Sequence, residues 1–481
     1  MSNKPSANQA NNQDKTITPQ LTNGHDLSEA RKSQNNAARK ISEKQAEINE
    51  RYDKLVMPDD YYVGAPCGVG KLVRDVMDKT GYPSGAMAYH AVLAIKAVLM
   101  SRFCYLSTPS GIITPNYYSI LFANTGRGKD SADKVVSQTL QHLLPDFLIS
   151  NKPKSGVGIY DFLRLNKNVG LYVIDEIHGV ITAMNNPNSQ GYLREIGDVL
   201  LSLYSKASWQ TFRYEKASTK QKDSGIHTLH RPHLNLIGST VCDNFNSMFS
   251  QGTFTSGLMQ RVQCSFASKQ RPVGKYPNSY DMILRDAYLE HLSNNNVTKL
   301  EDEAEAEFSG FELEKSTTSE YERIELDEDA KKLAHEIKVE FDLEYNKQTT
   351  KNDPLLAARL TEKTLKEAFL ISDGSVSRAA LEFALGQSRY QNSVLQLKLE
   401  EINDSESYQK SERVLSKLAE LIQKGNGQLV TRRELQQSCR NLTTFEFREL
   451  ITSLEDSGRI FMGKTTMPSG QSIKTIGLIE D

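Results

Sequence analysis

The sequence of 481 residues contains few cysteines, and they are scattered along the chain. Their number is odd and no two form a CxxC pair, which argues against both a disulfide framework and a zinc site. Such cysteine usage fits a protein kept in a reducing cytosol. The cysteines are Cys67, Cys104, Cys242, Cys264 and Cys439.

Long apolar stretches and a targeting segment are also lacking. No run of about 18 uninterrupted apolar residues could span a bilayer, and residues 1–20 are polar, without the basic start and apolar core of a secretory signal. The sequence therefore predicts a cytoplasmic protein with no membrane partner. The net charge of -2 gives no overall attraction to nucleic acid, so any contact with DNA must come from local basic surface.

The chain is too long for one hydrophobic core, and its composition changes several times. Residues 1–50 are rich in Asn, Gln, Ser, Lys and Glu and nearly free of large apolar side chains, which predicts a disordered tail. The polar, acidic stretch 271–320 is interpreted as an exposed linker or insertion. The other predicted segments are a helical N-terminal segment (51–115), a core of alternating strands and helices (116–270), a helical lid (321–405) and a C-terminal domain (408–481).

The segment 116–270 alternates short apolar runs with amphipathic helices. Each run has the length of a buried strand, and the helices between them are long enough to cross from one strand to the next. This alternation predicts an α/β fold with a mostly parallel sheet covered by helices. The predicted strands are Tyr118–Ala123, Leu171–Ile174, Leu234–Ile237 and Gln263–Phe266.

A glycine-rich loop that ends in Gly-Lys follows the first of these strands. A phosphate loop needs a buried strand before it, small residues whose backbone N–H groups surround the phosphates, and a helix whose positive end faces the anion. This loop meets all three conditions, because a helix is predicted over 131–144. It predicts a nucleotide site formed by Asn124, Thr125, Gly126, Arg127, Gly128, Lys129, Asp130 and Ser131.

A second Gly-Lys loop, Gly64–Lys71, lacks a preceding strand and has Leu72 where a metal-binding hydroxyl would stand. We interpret it as a plain turn. The first loop departs from the usual pattern twice, since Ala123 replaces a glycine and Asp130 replaces the hydroxyl residue that normally binds Mg²⁺. Either the Asp130 carboxylate or the Ser131 hydroxyl could supply the metal ligand, and nucleotide could be bound with or without hydrolysis.

The apolar run Leu171–Ile174 ends in two acids, Asp175 and Glu176. An apolar strand followed by two carboxylates, downstream of a phosphate loop, is the Walker B pattern. In that arrangement Asp175 binds Mg²⁺ and Glu176 polarises the attacking water. The two motifs together predict an ATPase whose cofactors are ATP and Mg²⁺.

Two later segments add candidate catalytic residues. The strand that begins at Leu234 runs on into Ser239 and Thr240, where ring ATPases carry a polar contact to the γ-phosphate or its water. Thr240 could instead be the N-cap of a following helix. Arg261 lies between a short helix and a strand, where it could stabilise transition-state charge at a neighbouring subunit or form a surface ion pair.

The order of these motifs resembles that of phage- and plasmid-borne replication ATPases of the helicase/primase-associated type, which are related to the AAA+ helicases that include the MCM group. The similarity covers roughly residues 58–400, and Gly257–Phe266 resembles an arginine-finger segment. In the lid, Ala358–Lys363 resembles the segment with a second sensor arginine, which makes Arg359 a candidate for γ-phosphate contact. The resemblance implies ATP-driven movement on DNA as a hexameric ring, during replication of a mobile element.

A β-hairpin is predicted just ahead of the strand that carries Thr240. Its strands would be Trp209–Tyr214 and Ile226–His230, and the tip between them is polar and basic. In ring helicases a hairpin at this place projects into the central channel, where Lys and Arg hold successive phosphates; otherwise the tip is only solvated. The candidate DNA-binding residues are Arg213, Lys216, Lys220 and Lys222.

The C-terminal segment 408–481 follows the polar run Asp404–Ser407 and combines three helical patterns with a two-stranded hairpin, as in a winged helix-turn-helix. The recognition helix of such a module enters the major groove while flanking basic residues hold phosphates. Winged helices also bind proteins, and that alternative stays open. The candidate DNA-binding residues are Arg432, Arg433, Arg448 and Lys464.

The predicted architecture is therefore a P-loop NTPase (AAA+-like) core with a helical lid and a C-terminal winged helix-turn-helix. The predicted function is an ATP-dependent motor on DNA, a replicative helicase of a phage, plasmid or other mobile element. It would act as a homo-oligomer, with other replication proteins as further partners. Two alternatives are an initiator that binds nucleotide without hydrolysing it, and a loader-type ATPase that does not unwind DNA.

Overall fold

The structure is a computed structural model, and its described residues fall into two compact units, one within 47–405 and the other within 406–481. The predicted tail, apart from Glu50, and most of the predicted linker lie outside the described residues. The described residues are 50, 56–101, 103–185, 189–208, 211–216, 225–242, 248, 257–267, 274, 281–294, 322–350, 356–424, 429–456, 459–466 and 472–478.

The larger unit combines a central sheet with many helices. Its helices include α1 (Asp59–Val63), α2 (Val69–Lys79), α3 (Gly85–Met100), α4 (Lys129–Leu143), α5 (Gly156–Leu165), α6 (His178–Asn185), α7 (Gly191–Lys206), α8 (Glu328–Thr350), α9 (Leu360–Ile371) and the first part of α10 (Arg378–Lys424). Its strands include β1 (Cys104–Thr108), β2 (Gly111–Ile113), β3 (Tyr118–Phe122), β4 (Ile149–Ser150), β5 (Val169–Ile174), β6 (Thr211–Lys216), β7 (Gly225–His230), β8 (His233–Thr240), β9 (Gln263–Phe266) and β10 (Glu322–Ile324).

The central sheet has five strands in the order β4-β5-β8-β3-β9, and every pair is parallel. All residues of β3 and β8 are buried, which is typical of parallel strands covered on both faces. The prediction of a mixed α/β fold with a central parallel sheet is confirmed. Of the strands of this sheet, only the short strand β4 was not predicted, because its two residues are too few for a periodic signal.

Helix α3 lies at the centre of the larger unit, and all of its residues are buried. A helix that is apolar on every face needs surrounding protein on every side. Its buried Lys96 donates hydrogen bonds from Nζ to the Ile371 and Ser372 carbonyls and to Asp373 Oδ1, at the C-terminal end of α9.

Among the described residues, no helix is both long and apolar enough to cross a membrane.

The helices of the predicted lid pack into the same core as α3. Leu360 and the whole of 363–371 on α9 are buried, and the apolar residues of α8, α9 and α10 join those of α2 and α3 in one cluster. Residues that precede and residues that follow the segment 116–270 in the chain therefore share one hydrophobic cluster. This packing is the reason that 47–405 forms one compact unit.

The predicted N-terminal segment is not helical to its end. A second, small sheet has the order β10-β1-β2, in which β1 pairs antiparallel with β2 and parallel with β10. The expectation of helix up to residue 115 was therefore wrong for 104–113. A turn at Pro109 and Ser110 separates β1 from β2, and Thr108 Oγ1 donates to the Gly111 carbonyl across it.

The predicted hairpin is confirmed, since β6 and β7 pair antiparallel from Thr211 opposite His230 to Lys216 opposite Gly225. Its inward side chains, Phe212 and Tyr214, pack against the Tyr160 ring of α5. Tyr214 Oη also donates a hydrogen bond to Asp161 Oδ1 at 2.9 Å. These contacts fix the base of the hairpin on α5, while its predicted basic tip lies outside the described residues.

In its described residues, the smaller unit contains the last part of α10, three strands and two more helices. They are β11 (Val430–Thr431), α11 (Arg432–Ser438), α12 (Thr444–Asp456), β12 (Ile460–Thr466) and β13 (Ser472–Leu478), with the antiparallel order β11-β13-β12. Thr431 and Glu434 form a capping box at the start of α11. The polar run Asp404–Ser407 is helical, since α10 continues through it; it contains neither Gly nor Pro that would end a helix.

We expect Leu370→Ala to destabilise the larger unit by about 2–5 kcal/mol, because truncation of a fully buried leucine leaves a cavity. Urea unfolding followed by circular dichroism measures this change. The matched control is Leu343→Ala on α8, where the side chain is 57% exposed and the expected change is below about 0.5 kcal/mol. Equal effects of the two substitutions would contradict the place of α9 in the core.

Candidate functional site

The loop between β3 and α4 combines two left-handed glycines with an open helix end. Gly126 and Gly128 have φ values of 76° and 82°, a conformation that favours glycine because it has no Cβ. A Cβ at Gly128 would also lie 3.2 Å from the Tyr82 Cβ. Gly128 is the N-cap of α4, and no described side chain caps it, so the first N–H groups of the helix can bind an anion.

The side chains of this loop differ in exposure. Thr125 and Asp130 are exposed, and Asn124 and Ser131 are half-buried. The Arg127 side chain is only 2% exposed, so it is directed into the fold. A ligand at the loop would therefore meet the side chains of the other four residues but only the backbone of Arg127.

Lys129, the first residue of α4, joins the loop to the acidic residues that follow β5. Its side chain is 9% exposed, and its Nζ donates a hydrogen bond to Glu176 Oε1 at 3.1 Å. Glu176 follows β5, and β8 separates β5 from β3 in the sheet. The contact thus brings together residues beyond the carboxyl ends of two strands, across a third strand.

Three side chains hold the Glu176 carboxylate. Lys129 binds Oε1, while Oε2 accepts a hydrogen bond from Thr240 Oγ1 at 3.3 Å and lies 3.1 Å from His178 Nδ1. Burial alone would raise the pKa of Glu176, but Lys129, together with Thr240 and His178, outweighs burial and holds that pKa below its ordinary value. The carboxylate is therefore ionised at neutral pH, as a group that orients water must be.

The neighbouring acid, Asp175, is held by hydrogen bonds to one of its oxygens. Asp175 Oδ1 accepts from Ser239 Oγ at 3.2 Å and from the Glu176 backbone N–H at 2.9 Å, so Oδ2 is the oxygen that could ligate Mg²⁺. In the described part of the chain, no three or more His, Cys, Asp or Glu side chains are grouped as a metal site. Mg²⁺ commonly takes only one or two protein carboxylates and completes its shell with phosphate oxygens and water.

Thr240, the last residue of β8, lies beside the Glu176 carboxylate. Its hydroxyl contacts Glu176 and lies 3.4 Å from His178 Nδ1. The alternative, in which Thr240 caps a helix near Asn244, concerns a segment outside the described residues. His178 was not among the predicted site residues; its only signal in the sequence was its place two residues after Glu176.

Asp133 was also missed. It lies four residues after Lys129, one turn along α4, and this spacing could have indicated that it faces the site. Burial, together with the negative charges of Asp175 and Asp130 and against the opposing charge of Lys129, raises the pKa of Asp133 to about 7. At neutral pH the Asp133 carboxyl is therefore partly protonated beside two other acids.

Arg261 and Arg359, the other predicted catalytic residues, are not brought to this site. Gln263, the first residue of β9, lies beside Ser119 in β3, so Arg261 stands near the amino ends of the strands. The phosphate loop follows their carboxyl ends, about 20 Å away along the strand direction. This separation is longer than one side chain can bridge.

The two arginines instead lie near each other. Arg261 Nη1 donates to the Gly257 carbonyl at 2.9 Å, and Arg359 Nη1 donates to Glu362 Oε2 at 2.6 Å. Burial lowers the pKa of Arg261, and the positive charge of Arg359 lowers it further. They form an arginine pair at the edge of the sheet opposite to Lys129.

The hairpin candidates for DNA contact are described only in part. Arg213 is exposed on β6, on the face opposite Phe212 and Tyr214. The side chain of Lys216 lies outside the described residues. Lys220 and Lys222 belong to the tip, which lies outside them as well.

Three of the four candidates in the smaller unit lie on its two described short helices, and the fourth lies on β12. Arg433 on α11 and Arg448 on α12 are exposed, and Arg432 is half-buried at the start of α11. Lys464 lies opposite Lys474 in the β12–β13 pair, but its side chain is outside the described residues. Each of the two helices thus exposes one arginine, and in each case an exposed glutamate follows it directly, Glu434 on α11 and Glu449 on α12.

The other Gly-Lys loop, Gly64–Lys71, follows helix α1 and not a strand. A Cβ at Gly68, the N-cap of α2, would lie 3.3 Å from Asp373 Oδ2. The chain's own carboxylate thus stands at the helix end that an anion would need, and it is ion-paired with Lys96. These contacts agree with the interpretation of this loop as a turn.

The sequence matches no protein-family model and no curated protein sequence. The resemblance of its motifs to those of replication ATPases therefore stays a prediction. The site itself is a cluster of side chains at the carboxyl ends of the strands. It is formed by Lys129, Asp175, Glu176, His178, Ser239 and Thr240.

We expect Asp133→Asn to change how the stability of the larger unit depends on pH. Because the folded-state pKa is about 7 and the ordinary value is 3.8, the folded chain binds more protons than the unfolded chain in that window. This carboxyl therefore makes stability fall as pH rises from about 4 to 7, by at most about 1.4 kcal/mol per pH unit. Urea unfolding near pH 5 and pH 8 measures the fall, which should be smaller in Asp133→Asn; an unchanged fall would contradict the burial of Asp133.

Proposed function

We propose that this chain binds ATP with Mg²⁺ and hydrolyses it as a motor on DNA, in the manner of a replicative helicase of a phage, plasmid or other mobile element. The observation that carries the proposal is the meeting of Lys129, Asp175, Glu176 and Thr240 at the carboxyl edge of three neighbouring parallel strands. An ammonium group, two carboxylates and a hydroxyl are the groups that phosphoryl transfer to water requires.

The order of the strands supports a ligand at this edge. Strand β3 enters the sheet first; the chain then passes to β4 at one edge and later adds β9 on the other side of β3. In open α/β sheets, ligands bind outside the carboxyl ends of the strands at such a switch point. The turn Gly126–Lys129 lies there, with the N-terminus of α4 behind it.

In the proposed reaction Lys129 would bind the β- and γ-phosphates, and Asp175, together with Asp130 or Ser131, would hold Mg²⁺. A triphosphate would compete with Glu176 for the Lys129 ammonium. The Glu176 oxygen released in this way could accept a hydrogen bond from the attacking water. Replacement of the Glu176 carboxylate by the triphosphate at Lys129 would thus free Glu176 to act as the base when ATP binds.

The arginine pair, Arg261 and Arg359, supports a site shared between copies of the chain. Neither residue can reach a triphosphate bound at Lys129 of its own chain, because both lie at the opposite edge of the sheet. In a ring with head-to-tail contacts, that edge of one copy could face the phosphate loop of the next. An arginine placed so would stabilise transition-state charge. We therefore infer a homo-oligomer, with a hexameric ring as the expected form.

The smaller unit supports contact with DNA. Its three helical stretches and antiparallel hairpin follow the order of a winged helix-turn-helix. Helix α12 buries Phe447 and Ile451 and exposes Phe445, Arg448 and Glu449, so its outer face is the one that would enter a major groove. The hairpin with Arg213 offers a second surface for phosphates of a single strand.

A second candidate function is a replication initiator that binds nucleotide and DNA without hydrolysis. The observation that favours it is the exposed carboxylate of Asp130, which stands where a hydroxyl normally ligates Mg²⁺, with Asp133 one turn away. Two extra acids repel the phosphates unless the metal neutralises them. A loader that hydrolyses ATP without unwinding DNA is distinguished from a helicase by a fork-unwinding assay on the purified chain.

We expect Lys129→Ala to abolish phosphate release from ATP and to weaken nucleotide binding at least about 10-fold, because it removes the charged donor to the phosphates. Phosphate release with and without single-stranded DNA, and titration with a fluorescent ATP analogue, measure the two effects. Lys71→Ala is the matched control, since Lys71 ends the other Gly-Lys loop and its side chain is 68% exposed. A wild-type chain that binds no nucleotide would refute the proposal; one that binds but releases no phosphate would favour the initiator.

We expect Arg261→Ala to keep nucleotide binding and to lower turnover by about 10³-fold or more, as for other arginine fingers. Mixing Arg261→Ala with Lys129→Ala should restore part of the turnover, because one variant supplies the arginine and the other the phosphate loop. Phosphate release from the mixture, compared with each variant alone, is the measurement. A mixture no more active than its components would contradict action across a subunit boundary.

A further inference from the structure

His178 contacts the candidate site but has no part in the reaction described above. It is the first residue of α6 and follows Glu176 by two positions. Its side chain is 37% exposed, and its Nδ1 lies 3.1 Å from Glu176 Oε2 and 3.4 Å from Thr240 Oγ1. A ring nitrogen, a hydroxyl and a carboxylate oxygen therefore meet at one point.

The two oxygens of the Glu176 carboxylate have different partners. Oε1 accepts from Lys129, whereas Oε2 contacts Thr240 and His178. A bound triphosphate would draw the Lys129 ammonium towards the phosphates. Glu176 would then keep only the partners of Oε2, and these would decide where its carboxylate stands when water must be oriented.

Glu176 needs such an anchor because its side chain is 45% exposed. Holding a glutamate side chain in one rotamer costs up to about 2 kcal/mol of conformational entropy. The contact from Thr240 is long at 3.3 Å, and a hydroxyl can rotate towards other acceptors. The shorter contact with His178 is therefore the better candidate for fixing the carboxylate.

The backbone between the two residues is held by contacts of Ile177. The Ile177 N–H donates to the Ser239 carbonyl at 3.0 Å. The Ile177 side chain fills the space above Gly238, where a Cβ would lie 2.3 Å from Ile177 Cδ1. Glu176 has a left-handed φ of 52°, an uncommon conformation for a residue with a side chain, and it turns the chain directly into α6.

We propose that His178 is a positioning residue for Glu176, which donates from Nδ1 to Oε2 and holds the carboxylate where it can accept a proton from the attacking water. This inference rests on the proposed ATPase function. In the reaction the water oxygen would bond to the γ-phosphorus, the bond between the γ-phosphorus and the bridging oxygen would break to release ADP, and the water proton would pass to Glu176. His178 neither gains nor loses a proton in this step.

The test compares the wild-type chain with His178→Ala and His178→Asn, using a fluorescent ATP analogue for binding and phosphate release for turnover. His178→Ala should keep the KM for ATP within about two-fold, while kcat falls about 10- to 100-fold because the base is misplaced. His178→Asn should recover most of kcat, since its amide nitrogen can take the place of Nδ1. His335→Ala, which removes an exposed histidine from α8, is the control that should keep full turnover.

A His178→Ala variant that keeps its kcat overturns the role of His178 while leaving the ATPase function intact. Loss of nucleotide binding together with turnover in this variant would indicate a structural role and overturn it as well. If His178→Ala does not fold by circular dichroism, His178→Asn and His178→Gln decide, because Gln places its nitrogen near Nε2 and should not recover kcat. A wild-type chain that binds the analogue but releases no phosphate overturns both hydrolysis and this role.

Discussion

The hydrogen bond between Lys129 and Glu176 is the contact on which the candidate site depends, because it exists only if three strands keep one order. Strand β8 separates β3 from β5, and its last residue, Thr240, lies beside Phe122. Neighbouring strands are about 4.8 Å apart. Side chains that follow the outer strands, β3 and β5, must therefore reach across the middle strand, β8, to meet. Lys and Glu side chains are long enough to meet there, and they meet above the Thr240 hydroxyl.

The same contact bears on how a phosphate could be bound. The Lys129 side chain is 9% exposed, so its ammonium has lost most of its water and requires an acidic partner. Glu176 is that partner, and a phosphate group could replace it without leaving the ammonium unpaired at any stage. Asp130 and Asp133 act in the opposite direction, because they add negative charge that a bound divalent cation would have to offset.

The sequence predicted the parts of the site that depend on local pattern. The apolar runs, the Gly-Lys turn and the acids at 175 and 176 are each visible within about ten residues, and the structure brings Lys129, Glu176 and Thr240 together. Contacts between distant segments were not predictable in this way. The pairing of β1 with β10 joins segments far apart in the chain, and the burial of α9 depends on α3. His178 was missed because a lone histidine after the acids carries no periodic signal.

Buried hydrogen bonds connect α9 to the segment that directly follows Arg261. A lid helix would not require such contacts. Lys363 Nζ donates to the Val262 carbonyl at 2.7 Å, and Gln263 Nε2 donates to Glu367 Oε2 at 3.1 Å. Both residues of α9 are buried, and burial raises the pKa of Glu367 to about 7. Such contacts are costly to break in a low-dielectric interior, so Arg261, which directly precedes Val262, must follow α9 in any rearrangement. A displacement of Arg261 would therefore be transmitted to the centre of the larger unit through α9.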